Sequence, residues 1–358
     1  MAGFSLQLKP VGSDCNLHCE YCYAEPFKTG HLVIMAHEVL ERAISGCLLH
    51  NPNPSITWHG GEPTLAGLDF YQEAQEIIDH YRKPGQTVTQ ILQTNATLIT
   101  PQLADFFAEH GFEIGISLDG PKEINDLNRQ NLAGHGSFDQ IITGLKTLRN
   151  SGLDPSVIAT VDSNTLLYPR EVFEFLIAQG FTRIKFSPVY DAGRDQFNVS
   201  NNEWFQYLSV VFDVWMGNGN PEISVSELDE VIAWLDPEAV YPMCSSNHTC
   251  INWVSIDPDG SMYPCSYFRA DAYGNIMDIP LQEIAKAPGY QNFFRVFNAM
   301  PTECQKCKFL RVCSNGCSAT RINREGQLDP TGRYVYCNER KRLYRRIKNA
   351  FVKEAQES

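Results

Sequence analysis

Six times between residues 4 and 216, a short β-rich run gives way to an amphipathic helical pattern. The strand candidates are 4–11 (FSLQLKPV), 55–60 (SITWHG), 87–94 (TVTQILQT), 113–118 (EIGISL), 156–162 (SVIATVD) and 183–188 (RIKFSP). Helix candidates follow them at 35–49, 68–82, 101–110, 138–151, 169–179 and 203–216. Successive βα units predict an α/β fold with a parallel sheet and helical crossovers. Six units fall short of the eight that close a full barrel, so a partial barrel and an open doubly wound sheet both fit. In either, the reactive site belongs at the C-terminal ends of the strands.

That rule gathers the polar and glycine-rich segments at one rim. Cys15 follows the first strand, Gly60-Gly61-Glu62-Pro63 the second and Thr94-Asn95 the third. Ser117-Leu118-Asp119-Gly120 follows the fourth, and Ser187-Pro188 ends the sixth. From about residue 220 the alternation stops. The remainder reads as cysteine-rich and loop-rich, with a strand–turn–strand in NWVSIDPDGSMYPC and a helix at the end. Such a region is expected to have little continuous core and to be held by metal sites.

A chain of 358 residues can bury about two cores. Its net charge of −13 disfavours nonspecific binding to nucleic acid or an anionic membrane. No apolar run approaches the ~18 residues needed to span a bilayer, and MAGFSLQLKP lacks the pattern of a signal peptide, so a cytoplasmic location is expected. Twelve cysteines in a reducing compartment then point to metal or cluster ligation rather than disulfides. Three (Cys15, Cys19, Cys22) stand near the N-terminus and eight crowd the last third; Cys47, at helical spacing with Leu40 and Ile44, reads as a core residue.

The N-terminal group, DCNLHCEYCYA, has the spacing C-x3-C-x2-C. A zinc site would want a fourth ligand, for which His18 and His31 are nearby. Three thiolates on a [4Fe–4S] cluster instead leave one iron open to a small molecule. With Tyr21 before the third cysteine, the stretch resembles the signature of the radical S-adenosylmethionine (SAM) enzymes. The resemblance implies a partial (β/α)6 TIM-like barrel, a cluster held by Cys15, Cys19 and Cys22, and SAM chelating the open iron. Reductive cleavage of SAM then gives a 5′-deoxyadenosyl radical able to abstract hydrogen from an unactivated carbon. WHGGEPTLAGL is similar to the family's GGEP motif and implies SAM contacts at Gly60, Gly61 and Glu62. QTNATLI and SLDGP imply contacts at Thr94, Asn95 and Ser117, and NDLNR implies Arg129 facing the SAM carboxylate. Tyr21 and Tyr190 are implied on the adenine side.

Cys244-x5-Cys250-x14-Cys265, then Cys304-x2-Cys307-x5-Cys313-x3-Cys317, then Cys337, resembles the SPASM extension of these enzymes. The resemblance implies two auxiliary [4Fe–4S] clusters with interleaved ligands. Cys244, Cys250, Cys265 and Cys317 would hold the first; Cys304, Cys307, Cys313 and Cys337 would hold the second. The implied domains are a barrel over 1–225 and a cluster-binding SPASM domain over 226–358. The auxiliary clusters would take the electron left over when a substrate radical forms a new bond. The basic run RKRLYRRIK (340–348) reads as a solvated helix face, with a leader-peptide contact as the sharper alternative.

Overall the chain resembles the anaerobic sulfatase-maturating enzymes and the maturases of ribosomally made peptides. In the former, an aspartate directly after the third SPASM cysteine is thought to take the proton; here that residue is Ser266. A serine hydroxyl is a poor base unless activated, and Asp257, Asp259, Asp119 and Glu62 are the acids near the motifs. The expectation is therefore a peptide maturase that abstracts hydrogen from a side-chain Cβ of a precursor and forms an oxidative cross-link, a carbon–carbon cyclophane to an aromatic ring. The alternatives are formylglycine formation on Cys or Ser of a sulfatase, and a non-enzymatic iron–sulfur electron carrier. The expected partners are a precursor peptide and an external electron donor of flavodoxin or ferredoxin type. With fourteen residues before Cys15, leader capture is expected from a separate protein or from the barrel and SPASM surfaces.

Overall fold

The computed structural model describes residues 3–190, 195–235, 249–268, 272–322 and 328–357; Cys244 lies outside the described residues. The strands are β1 (Ser5–Leu8), β2 (Leu17–Cys19), β3 (Ser55–Trp58), β4 (Thr89–Thr94), β5 (Glu113–Ser117) and β6 (Arg129–Asn131). Then come β7 (Ser156–Val161), β8 (Arg183–Pro188), β9 (Ser224–Val225), β10 (Trp253–Ile256), β11 (Ser261–Tyr263) and β12 (Gly274–Asn275). The principal helices are α1 (His37–His50), α2 (Gly67–Tyr81), α3 (Pro101–Glu109), α4 (Lys122–Asn128), α5 (Phe138–Asn150), α6 (Pro169–Ala178), α7 (Asn201–Asn218) and α8 (Ser226–Ala233). Pro288–Phe297 and Cys337–Glu357 form two later helices. All six expected βα units are present. No helix among the described residues is long and apolar enough to cross a membrane.

Local chemistry explains the boundaries. Thr100 caps α3 by accepting the N–H of Leu103, with Pro101 in the first turn. A capping box of Ser200 and Glu203 opens α7, and Gly219 in the left-handed region closes it. Strands β4 and β7 alternate half-buried and buried residues, the period of a pleated strand.

The chain forms two compact units that interleave along the sequence. The first comprises Met1–Ser117, Asn125–Pro155 and Cys250–Val296; the second comprises Leu118–Ile124, Ser156–Thr249 and Phe297–Ser358. In the first, β1, β3, β4 and β5 pair in parallel, with registers Leu6↔Ile56, Ile56↔Gln90 and Leu92↔Ile114. On its other edge β1 pairs in parallel with β10, which continues antiparallel into β11 and β12. The late strand–turn–strand thus extends the N-terminal sheet. Leu6, Leu8, Ile56, Trp58, Leu92 and Ile116 have no exposed surface, each worth about 1.5–3 kcal/mol by burial. Trp58 meets Phe70 and Tyr71 of α2 edge-on at 5.9 and 5.5 Å.

In the second unit β7, β8 and β9 run parallel, and Phe186 of β8 meets Phe173 of α6 and Tyr207 of α7 at 6.1 and 5.4 Å. The segments after residue 249 are less coreless than their sequence suggests. Phe268, Tyr273 and Phe293 are buried in the first unit, and Phe309, Tyr336 and Tyr344 in the second. Phe268, Tyr273, Phe309 and Tyr336 lie outside helices and strands, where aromatic residues carry no periodicity and their burial is invisible to pattern.

Because β9 has two residues, the N–H of Phe186 in β8 is taken instead by the Glu227 carboxylate at 3.1 Å. Burial pushes this carboxyl up to about 7 from an ordinary 4.5, against the pull of Lys185 and the Phe186 N–H. The folded state therefore holds this proton more tightly than the unfolded chain. Stability should fall as pH rises from about 4.5 to about 7, by about 3 kcal/mol. Glu227→Gln keeps an acceptor for Phe186 and should remove that slope, checked by denaturation midpoints across this range.

Candidate functional site

The loop after β1 carries the cysteine triplet and is held from three sides within the first unit. Gly61 and Glu62 donate their N–H groups to the carbonyls of Gly12 and Asp14, each at 2.9 Å. A Cβ on Gly61 would lie 1.8 Å from the Asp14 carbonyl oxygen, and Gly60 has φ +118°. Both positions admit glycine alone. The pair is thus more than a turn: it lets the β3 loop press directly on the backbone of Gly12–Asp14 leading to Cys15. Gly61→Ala should displace that loop and lower bound iron by about four atoms per chain, while the C-terminal thiols keep theirs; iron analysis with electron paramagnetic resonance checks this.

Glu62 ties the next loop in. Its carboxylate accepts from Thr64 N (3.0 Å), Thr64 Oγ1 (2.6 Å), Thr94 Oγ1 (2.7 Å) and Asn95 N (2.7 Å). Burial still raises its pKa, opposed by those hydrogen bonds. Asn95 in turn donates Nδ2 to Asn16 Oδ1 at 3.0 Å and to Cys15 Sγ at 3.6 Å. Ser117 accepts from Gln93 Nε2 at 3.0 Å, joining the ends of β4 and β5.

The third hold is a ribbon that sequence reasoning missed. Strands β2 and β6 pair antiparallel with Cys19 opposite Arg129. The Arg129 guanidinium consequently lies 3.9 Å from Cys19 Sγ and 5.7 Å from the centre of the Tyr21 ring. Cys15, Cys19, Tyr21, Gly60, Gly61, Glu62, Thr94, Asn95, Ser117 and Arg129 are all connected in this way.

This donor set fits an iron–sulfur cluster. Cys15 Sγ receives the N–H of Leu17 at 3.4 Å as well as Asn95, and Cys19 faces a cation, arrangements that favour thiolate ligands. Burial, with Glu62 next, pushes the bare Cys15 thiol up to about 12, so iron must displace its proton. His18 is turned to Glu25 at 3.1 Å and does not join the thiols.

Ser266, four per cent exposed, donates Oγ to Gln7 Oε1 at 2.6 Å. Two residues on, just past the end of β1, Lys9 pairs with Asp257 at 3.2 Å. Gln7 and Lys9 were overlooked, although polar residues at period two, alternating with Leu6 and Leu8 along and just past β1, are a usable signal. The other acids have structural partners: Asp119 accepts the N–H of Thr160, and Asp259 caps its own turn at Ser261. Tyr190 belongs to the second unit, its ring 6.5 Å from Tyr336.

In the second unit Cys304, Cys307, Cys313 and Cys337 line one cavity. Four thiols converging on one space fit a fully ligated cluster. Cys250 and Cys265 belong to the first unit, flanking the β10–β11 hairpin, and Cys317 to the second. Cys47 is buried in α1 and donates to the Phe4 carbonyl at 3.2 Å, as its spacing implied. The basic run is in large part the solvated face its sequence suggests: Arg342, Arg345, Arg346 and Lys348 are exposed, Arg342 lying 3.9 Å over the Phe205 ring and Arg346 pairing with Asp213. Arg340 departs from it, its side chain 11% exposed and turned to Glu230 at 2.6 Å.

The sequence pattern of the radical SAM superfamily matches residues 10–184, and that of the SPASM iron–sulfur cluster-binding domain matches residues 244–308. The chain is 31% identical over 340 residues to a cysteine-type anaerobic sulfatase-maturating enzyme of Clostridium perfringens, covering 91% of each. It is 29% identical to a serine-type enzyme of Bacteroides thetaiotaomicron, covering 92% of this chain and 86% of that one. The solved structure of native anSMEcpe with bound AdoMet and Cp18Cys peptide superposes with a TM-score of 0.86 at 28% identity over 99% of both chains. Streptococcus suis SuiB bound to precursor peptide SuiA gives 0.65 at 18% identity over 92% of this chain and 74% of that one, a likeness of fold alone. This chain belongs to the radical SAM enzymes with a SPASM domain, in the family of the anaerobic sulfatase-maturating enzymes, and SAM and iron–sulfur clusters are its cofactors.

Proposed function

We propose that this enzyme oxidises the Cβ of a cysteine or serine side chain in a polypeptide to the aldehyde of formylglycine. The observation that carries this reading is the 31% identity to a cysteine-type sulfatase maturase across 91% of both chains. It reverses the order expected from sequence, where cross-linking stood first.

Bound SAM and its cluster supply the one-electron chemistry that removes a hydrogen from the substrate carbon. Cys15, Cys19 and Cys22 would hold that cluster, leaving one iron for SAM. Gly60 and Gly61, whose N–H groups or conformations are committed to the cysteine loop, would present backbone to SAM. Thr94, Asn95, Ser117 and Arg129 would meet its ribose and carboxylate, and Tyr21 and Tyr190 its adenine. Cys244, Cys250, Cys265 and Cys317, and separately Cys304, Cys307, Cys313 and Cys337, would hold the auxiliary clusters in the proposed SPASM domain 226–358, which follows the proposed barrel domain 1–225.

The proton acceptor is where this chain departs from its relatives. Ser266 has no carboxylate, and its hydroxyl already donates to Gln7. That observation favours a second reading, an oxidative cross-link at Cβ. The two separate by product. Anaerobically reconstituted enzyme should convert a cysteine- or serine-bearing sulfatase peptide to a hydrazide-reactive aldehyde, and Ser266→Asp should raise the rate about tenfold or more by restoring a base. A product that has lost two hydrogens, carries a ring and ignores hydrazide overturns formylglycine formation in favour of cross-linking.

A further inference from the structure

The chain is acidic overall, with 29 Lys and Arg against 42 Asp and Glu, yet its charge is unevenly placed. Residues 301–318 and 331–348 hold ten Lys and Arg against two Glu. These segments carry the four cysteines that line the second unit's cavity. Lys306 stands between Cys304 and Cys307, Lys308 follows Cys307, and both are exposed, as are Arg333 and Arg345. Arg333 and Lys341 line the cavity itself. Three of the ten are paired, Arg333 with Glu303, Arg340 with Glu230 and Arg346 with Asp213, and Glu339 is buried, so the segments keep an excess of cations.

From this we propose that the cationic rim of the Cys304–Cys307–Cys313–Cys337 cavity is the docking surface for a small acidic electron-carrier protein, which exchanges single electrons with the cluster in that cavity. The inference rests on the reading that these thiols hold an iron–sulfur cluster. In the exchange one electron leaves the carrier's reduced centre and enters the oxidised cluster, and no bond is made or broken. An acidic partner is repelled by most of a −13 chain and attracted here, so the field orients it with its redox centre toward the thiols. An acidic peptide would feel the same charge. The cations, however, surround a set of four redox-active ligands in the second unit, whereas Cys15 and Ser266 belong to the first.

The test uses the reconstituted holoenzyme and reduced flavodoxin as probe, with binding and the rate of cluster reduction both followed against ionic strength. The wild type should bind flavodoxin and accept electrons at a rate that falls steeply with salt. The triple charge reversal Lys306→Glu, Lys308→Glu, Arg345→Glu should cut both at low salt by at least about tenfold and flatten the salt dependence. Its clusters, reduced by a small viologen, should respond as in the wild type, which excludes misfolding. Wild-type flavodoxin binding and rate in the triple variant overturns the proposal, as does loss of affinity for an acidic peptide substrate with flavodoxin binding unchanged. If the triple variant loses flavodoxin binding but iron and spectra show no cluster in this cavity, docking stands and the cluster reading fails.

Discussion

Replacing Cys15, Cys19 and Cys22 together by alanine should lower bound iron from about twelve to about eight atoms per chain and abolish formation of 5′-deoxyadenosine from SAM. The three thiols sit on one loop, and that loop is clamped by Gly12, Asp14, Asn16 and Glu62 rather than by the cysteines themselves. Its backbone should therefore survive the loss of iron. The auxiliary thiols at Cys304, Cys307, Cys313 and Cys337 belong to the other compact unit and should load normally. Iron and sulfide analysis of anaerobically purified protein, with chromatography of the SAM products, measures both effects. Retention of SAM cleavage, or zinc in place of iron, would remove the basis for radical chemistry.

The second large effect concerns stability. Arg340→Met should cost about 3–5 kcal/mol, because it removes the cation of the pair and keeps the Glu230 carboxylate buried. Glu230 is two per cent exposed and has Arg340 Nη2 at 2.6 Å. Adding Glu230→Gln to that variant should recover most of the loss, since the penalty lies in the buried negative charge rather than in the missing contact. Denaturation midpoints of the single and double variants test the coupling. Arg340 also lines the cavity of the four cysteines. Losing its charge should lower the reduction potential of a cluster held there, because a nearby cation favours the reduced, more negative state.

Neither effect was equally visible before the fold was known. The cysteine triplet announces its chemistry by spacing alone, since C-x3-C-x2-C and the GGEP segment are local arrangements that one short loop can present. Arg340 gives no such sign. In RKRLYRRIK it reads as one solvated cation among several, and its inward turn depends on Glu230, more than a hundred residues earlier in the chain. The same holds for Arg129. Its role was suggested by order among the motifs, but its contact with Cys19 and Tyr21 exists because β2 and β6 form a ribbon of three residues each, too short to leave a periodic pattern.

The placement of the late hairpin is another such case. NWVSIDPDGSMYPC is legible as strand–turn–strand from its Asp-Gly turn and alternating apolar residues. That it would lie parallel to β1 is not, because parallel pairing is a long-range event decided by which buried edge remains open. That pairing places Asp257 beside Lys9 and Ser266 beside Gln7. It therefore determines what surrounds the residue on which the two readings of the reaction divide.

What the sequence by itself determined is whatever depends on short-range periodicity and ligand spacing. The six βα units, the α/β class, the thiol triplet and the glycine pair beside it all belong here, because each is specified within a few residues of chain. The tertiary structure alone decided which distant groups share a small volume. It closed Glu62 onto Thr94 and Asn95, gathered Cys304, Cys307, Cys313 and Cys337 around one cavity, and turned Ser266 toward Gln7. Hydrogen bonds and buried charges act over a few ångströms, and chain separation says nothing about which residues come that close.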